Sequence, residues 1–215
     1  MPSQKSIDWY FDFISPFAYF QHHRLLQLRQ QRLDIAINPK PVLFAGLLKH
    51  YQHKGPAEIP SKRSMTYRYC HWYGKAHQIP FRTPYAHPFN PLPMLRLAIA
   101  HDNNIDIIDR LFRHIWVESA DNPEFFSVDA LSRITGFEDA VSQTARDDVK
   151  QQLKQNTEDA IARGVFGVPT IALGKQLFWG LDMTDMAVEY LDNPAVFEDK
   201  EYSRVADLPV AKARI

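Results

Sequence analysis

A single cysteine, Cys70, stands among the 215 residues of this chain. No internal disulfide can form from it, and the dithiol chemistry of a C-x-x-C pair is excluded. Charge of one sign is lacking as well, because 25 Lys and Arg face 25 Asp and Glu. That balance supplies no basic field for nucleic acid and no acidic excess of the kind that keeps chains disordered. No apolar run approaches the roughly 18 residues of a membrane helix, and residues 1–20 lack the charged-then-apolar layout of a secretion signal. The expected location is therefore cytoplasmic, away from membranes. Also missing are internal repeats, a phosphate-cradling glycine loop, a G-x-S-x-G elbow and a dinucleotide fingerprint, which leaves a serine hydrolase without support. What remains is a chain with 45% hydrophobic residues, enough for a sizeable core, whose partner is expected to be small.

The most informative stretch present is Asp12-Phe13-Ile14-Ser15-Pro16-Phe17-Ala18-Tyr19. Ile7, Trp9, Phe11 and Phe13 alternate with Asp8, Tyr10 and Asp12, which predicts a strand from Ile7 to Phe13. Ser15 is a favoured N-cap and Pro16 occupies the first helical position, where its missing N–H costs nothing. A helix is predicted from there to about Gln31, and Leu33, Ile35 and Ile37 predict a second strand before Pro39. The free N–H groups and dipole of that helix favour an anion beside Ser15. The dipole contributes up to about 2 kcal/mol, roughly one pKa unit for a thiol, whereas a hydroxyl bond to a charged acceptor adds about 1.5–3 kcal/mol. On these residues alone Ser15 is either a plain helix cap or a donor to an anion brought from outside.

A second signal is Gly164-Val165-Phe166-Gly167-Val168-Pro169-Thr170 at the end of a long helical stretch. Gly164 fits a helix C′ position, and Pro169 before a strand marks a special turn that is a candidate for a cis bond. Gly174-Lys175 predicts a hairpin between Ile171–Leu173 and Leu177–Trp179, and a closing helix from about Thr184 buries Met183, Met186, Ala187, Tyr190 and Leu191. Between the two halves, Ile107, Ile108, Leu111, Phe112, Ile115 and Trp116 form one apolar stripe, and Val149, Leu153 and Ala160 another. Met65, Tyr69 and Trp72 mark an apolar face beside a packed Cys70. Dense prolines make residues 79–93 a loop able to roof a cleft, His22 and His23 are expected at the surface, and residues 193–215 read as a loose tail or a strap over a neighbour. His50, His53 and Glu58 lack the further ligands of a metal site, and no metal is expected.

The order of these motifs carries a family resemblance: strand, Ser15-Pro16-Phe17-Ala18, long helical insertion, Phe166-Gly167-Val168-Pro169-Thr170, then Phe178-Trp179-Gly180-Leu181-Asp182. Over residues 7–192 the chain resembles the 2-hydroxychromene-2-carboxylate isomerases, relatives of the kappa-class glutathione transferases and of the DsbA-type disulfide oxidoreductases. Gly55 to Pro60 with Lys62-Arg63, Thr66-Tyr67-Arg68, and His87 to Leu92 with Leu95-Arg96 resemble the family too. The resemblance implies an α/β, thioredoxin-like fold from residues 1–44 and 161–215 with a large all-helical insertion over 45–160. Ser15 and Ala18 stand where DsbA-type relatives have their two cysteines, so any active thiol is borrowed, and the resemblance implies glutathione.

Carried over by position, Ser15 is the catalytic residue, and glutathione would be held by Ser15, Pro16, Phe17, His53, Val168, Pro169, Asp182 and Met183, with Trp179 and Gly180 in the same turn. The implied reaction is the glutathione-dependent interconversion of 2-hydroxychromene-2-carboxylate and trans-o-hydroxybenzylidenepyruvate in the breakdown of naphthalene-type aromatics, with glutathione regenerated. The substrate is an aromatic carboxylate, for which Lys49, Lys62, Arg63 and His87 are candidates, and the resemblance suggests a homodimer. This chain departs from the family at Met183, where relatives commonly carry arginine, and at His53, aligned with a kappa-class asparagine. A kappa-like transferase or peroxidase, or a non-catalytic thioredoxin-like binding protein, are the alternatives.

Overall fold

The computed structural model describes residues 4–209. Four strands, β1 (Lys5–Phe11), β2 (Ile35–Pro41), β3 (Thr170–Leu173) and β4 (Gln176–Trp179), form one sheet in the order β2-β1-β3-β4. β2 runs parallel to β1, while β3 and β4 are antiparallel to their neighbours. Segments from both ends of the chain therefore share a sheet, as the resemblance implies. α1 (Pro16–Gln31) crosses from β1 to β2. Between the sheet-forming segments lie α2 (Phe44–His50), α3 (Pro60–Ala76), α4 (Leu92–Ala100), α5 (Ile105–Arg113), α6 (Val128–Thr135), α7 (Ala140–Ala145) and α8 (Asp147–Ala162). α9 (Thr184–Asp192) and α10 (Lys200–Ala206) follow the hairpin.

The alternation of β1 divides the core. Ile7, Trp9 and Phe11 face the larger cluster, where Trp9 stacks on Phe11 at 4.3 Å and Phe11 lies 5.7 Å from Phe112 of α5. Tyr10 and Ala172 face the other side, against Val42, Leu47, Ala160 and Val165. The stripe from Ile107 to Trp116 is buried throughout, as are Val149, Leu153 and Ala160.

Several expectations need correction. β1 stops at Phe11, because the Asp12 carboxylate accepts the Ile14 N–H at 3.1 Å and turns the chain. Phe13 stays buried after the turn, 4.6 Å from Phe112. Leu33 is 90% exposed and outside β2, which starts at Ile35 and continues through Pro39 to Pro41. Prolines are tolerated there because β2 is an edge strand. The supposed apolar face of α3 is solvent-facing: Met65 is 64% and Trp72 59% exposed, while Cys70, Tyr73 and Gly74 are buried. Two adjacent stripes of α3 both read as aromatic, and the one with small residues packs; a Cβ on Gly74 would sit 2.9 Å from the Ile79 carbonyl.

Nor are the paired histidines at the surface. His22 is fully buried, stacked 5.3 Å from Phe112, with Nε2 3.0 Å from Asp109 Oδ1. His23 is half-buried, and desolvation lowers its pKa to about 4. The proline-rich segment is irregular only to Pro91, since α4 starts at Leu92. The tail is ordered into helix as far as Ala206: Phe197 packs 5.9 Å from Phe178 and 5.0 Å from Tyr190, and the exposed α10 follows. Residues 210–215 lie outside the described residues. Met183, expected on the buried face of the closing helix, is exposed at the N-cap of α9, whereas the turns match expectation. Gly164 takes the left-handed conformation after α8, Gly174 turns the hairpin, and Val168–Pro169 is cis. His87–Pro88 is cis as well.

Candidate active site at the start of α1

Ser15 caps α1 and is only 7% exposed. Its Oγ accepts the Ala18 N–H at 3.2 Å, which occupies a lone pair and leaves the hydroxyl proton to be donated elsewhere. Pro16 has no amide hydrogen, so Phe17 supplies the first-turn N–H that has no protein acceptor among the described residues. Cap and anion site are thus compatible uses of one residue.

The pairing of Tyr10 with Thr170 brings the loop before β3 to the end of β1 that leads into Ser15. The N–H and C=O of Val168 have no partner among the described residues, although Pro169 C=O accepts the Gly180 N–H and the Thr170 hydroxyl donates to Gly167 C=O. An open backbone pair beside a cis-proline suits an extended peptide ligand. Trp179 lies over Gly167, where a Cβ would come within 2.6 Å of the indole Nε1. Phe166 stands 5.0 Å from Trp179 and 6.5 Å from Tyr51, whose ring is 6.1 Å from the exposed His53. Asp182 and Met183 are exposed in the turn that opens α9, and the Asp182 charge reaches Tyr69. Tyr69 in turn lies 6.0 Å from Phe17, so α3 closes this side.

Of the basic candidates, the structure gathers Arg63 and His87 and leaves Lys49 and Lys62 on exposed faces with no ion pair among the described residues. Arg63 Nη2 donates to the His87 carbonyl at 2.6 Å. His87 Nε2 lies 2.8 Å from Ile14 C=O, and its Nδ1 2.6 Å from Tyr67 Oη. Burial, first, and the Arg63 charge hold the His87 pKa below its ordinary value. Glu58 accepts the Gly55 N–H at 2.6 Å and serves its own loop, and no three His, Cys, Asp or Glu able to hold a metal gather among the described residues.

Two residues escaped the sequence reading. Asp12 is fully buried, with Oδ1 on Ile14 N–H and Oδ2 accepting Phe44 N–H at 2.8 Å, and burial pushes its pKa up to about 7. The one available signal was a carboxylate ending an aromatic strand. Tyr67 appeared only within a motif, and nothing local pairs it with a histidine 20 residues away. Cys70 stays unused, since burial pushes its thiol up to about 12. Surface hollows elsewhere, such as one of about 370 Å³ between α1 and α5, carry charges of both signs and no convergent donors.

Comparison with known proteins agrees with this arrangement. The model of the DsbA-like thioredoxin domain matches residues 6–192. The glutathione S-transferase kappa 2 of Caenorhabditis elegans is 25% identical over 214 residues, covering 90% of this chain and 95% of its own. Two 2-hydroxychromene-2-carboxylate isomerases match as well, that of Sphingobium xenophagum at 26% identity (87% of this chain, 98% of its own) and that of Pseudomonas putida at 29% (82% and 89%). A solved 2-hydroxychromene-2-carboxylate isomerase superposes with a TM-score of 0.75 at 23% identity, over 93% of this chain and all of that one. No helix among the described residues is long and apolar enough to cross a membrane. A serine at the mouth of α1, a cis-proline opposite it and a sheet shared by both chain ends meet these matches at one conclusion: the chain belongs to the DsbA-like thioredoxin family, with 2-hydroxychromene-2-carboxylate isomerases and kappa-class glutathione transferases as its homologues.

Proposed function

We propose that the protein is a glutathione-dependent isomerase acting on 2-hydroxychromene-2-carboxylate or a close aromatic relative. The observation that carries this reading is the Ser15 hydroxyl, its lone pair taken by Ala18 N–H and its proton free at the mouth of α1. Bound glutathione would supply a thiolate able to add to the conjugated carbon of the open substrate and leave again after rotation. Ser15 donates to that sulfur, with the Phe17 N–H and the α1 dipole behind it. Val168 pairs with the tripeptide backbone, while Asp182 and the Trp179 turn hold its γ-glutamyl end. Arg63 faces the substrate carboxylate. Ser15 itself is no nucleophile, since both nitrogens of His87 are engaged elsewhere and no base adjoins its hydroxyl. A cytoplasmic homodimer is the form we expect.

Replacing Ser15 by alanine removes one bond to a charged acceptor, about 1.5–3 kcal/mol, and should slow isomerisation by about 10- to 150-fold without unfolding the chain. Unchanged turnover in Ser15→Ala, or full activity of the wild type without thiol, would refute the role of the hydroxyl. Similarity to the kappa 2 transferase over most of both chains favours conjugation as the second reading. Product analysis separates the two, because a transferase consumes one glutathione per turnover and an isomerase none.

A further inference from the structure

Burial lowers the His87 pKa and favours the neutral ring, for which the bonds around it have only one consistent polarity. A carbonyl can only accept, so Nε2 carries the proton given to Ile14 C=O at 2.8 Å. Nδ1 is then bare, and the Tyr67 hydroxyl must donate to it across 2.6 Å. Tyr67 Oη is left with lone pairs and no proton to offer, so toward a ligand it acts solely as an acceptor. Phe89 and Trp116 pack beside the ring of His87 at 5.6 and 5.5 Å and leave it partly buried. Ile14, the end of the chain of bonds, immediately precedes Ser15.

We propose that Tyr67 and His87 form a proton relay that opens and closes the substrate ring, separate from the thiolate chemistry at Ser15. The proposal rests on the isomerase reading for its substrate, whose name places a hydroxyl and the ring oxygen on one carbon. Tyr67 Oη accepts the proton of that 2-hydroxyl as its own proton passes to His87 Nδ1. The freed electron pair on oxygen forms the carbonyl, the bond from carbon to the ring oxygen breaks, and the ring oxygen leaves as phenolate. The proton then returns from Nδ1 through Tyr67 to the phenolate, so none is gained or lost. Tyr67 touches substrate and is the catalytic residue; His87 acts through it as a positioning and proton-holding residue. Arg63, over the Tyr67 ring at 5.8 Å and bonded to the His87 carbonyl, is the charged group facing the pair from α3.

The test follows the exchange between the cyclic and cis-open forms of 2-hydroxychromene-2-carboxylate by proton exchange spectroscopy in thiol-free buffer. Wild type should accelerate that exchange, and Tyr67→Phe and His87→Gln should each reduce the acceleration by about 100-fold, the scale of acid–base catalysis. His87→Gln is the decisive variant. An amide can donate to Ile14 C=O and accept from Tyr67 as the imidazole does, yet it cannot take up a proton, so a merely structural histidine would be rescued by it. Wild-type exchange in His87→Gln or Tyr67→Phe, or no acceleration by wild type, overturns the relay. Adding glutathione afterwards reads the thiolate step alone: absence of trans product would refute the isomerase reading and leave the ring-opening result standing.

Discussion

Two loops meet at the mouth of α1, each with a cis X-Pro bond, and they are finished differently. The loop through His87 is tied down along its length: Tyr19 Oη donates to Pro80 C=O, Arg82 N–H to Trp116 C=O, Tyr85 N–H to Ser119 C=O, and His87 to Ile14 C=O. The loop through Val168 leaves its backbone pair open and its aromatic residues uncovered, with Phe166 39% and Trp179 48% exposed. The contrast teaches what each wall is for. A wall tied to the body at several points, with both nitrogens of its imidazole engaged, holds protons and geometry, whereas one with an idle backbone pair is built to be completed by a ligand.

Asp12 lies beneath both walls, holding Ile14 on one side and the start of α2, hence Tyr51, on the other, and its expected effect is the largest. Burial raises its folded-state pKa to about 7 from an ordinary 3.8. Between those values the folded form keeps a proton that the unfolded chain has released, so stability falls as pH rises from about 4 to about 7. At about 1.4 kcal/mol per unit the loss reaches ~4 kcal/mol and persists at higher pH. Asp12→Asn lacks this loss. Urea denaturation should therefore find the stability difference between wild type and variant changed by ~3 kcal/mol between pH 5 and pH 8 in the variant's favour. A difference that stays constant would mean that Asp12 is ionised throughout and that the floor is not strained by charge.

The next largest effect breaks the tied wall and spares the open one. His87→Ala strands Ile14 C=O and the Tyr67 hydroxyl and leaves a void among Phe89 and Trp116, which should cost about 2–3 kcal/mol of stability. Trp179→Ala removes a half-exposed ring and should cost under about 1 kcal/mol, yet weaken glutathione binding. Equal destabilisation by the two in denaturant titrations would erase the distinction between the walls.

Much of the open wall was legible in the sequence because its signals are local. Ser15-Pro16 at a strand end and Val168-Pro169 before a hairpin each follow from the chemistry of neighbouring residues. Of the tied wall, Arg63, His87 and the proline-rich loop were legible, but not the bonds that join them, because these span the chain: Tyr67 to His87 crosses 20 residues and His87 to Ile14 crosses 73. Periodicity also misled where two readings were equally periodic. Alternation placed Asp12 with Asp8 and Tyr10 on one face of a strand that ends one residue earlier, and on α3 the stripe of Met65, Tyr69 and Trp72 outcompeted the stripe that packs. His22 was misplaced because a buried histidine needs a partner, and Asp109 lies 87 residues away.

The smallest effect sharpens the open wall. Met183 occupies the N-cap of α9 beside the exposed Asp182, in the turn assigned to the γ-glutamyl end of glutathione, and offers no donor to a carboxylate. Met183→Arg would restore one, worth about 1.5–3 kcal/mol. The same guanidinium would sit at the positive end of α9, which disfavours a cation by about 0.3–1 kcal/mol. Attraction exceeds repulsion over both ranges, so glutathione should bind about tenfold more tightly to the variant, measured by titration calorimetry. Stability should change little, because the side chain is 37% exposed and packs outside the core. Unchanged or weaker binding would mean that the tripeptide's charged end lies elsewhere, which would detach the Asp182 turn from the open wall and leave Val168 and Ser15 as its two fixed points.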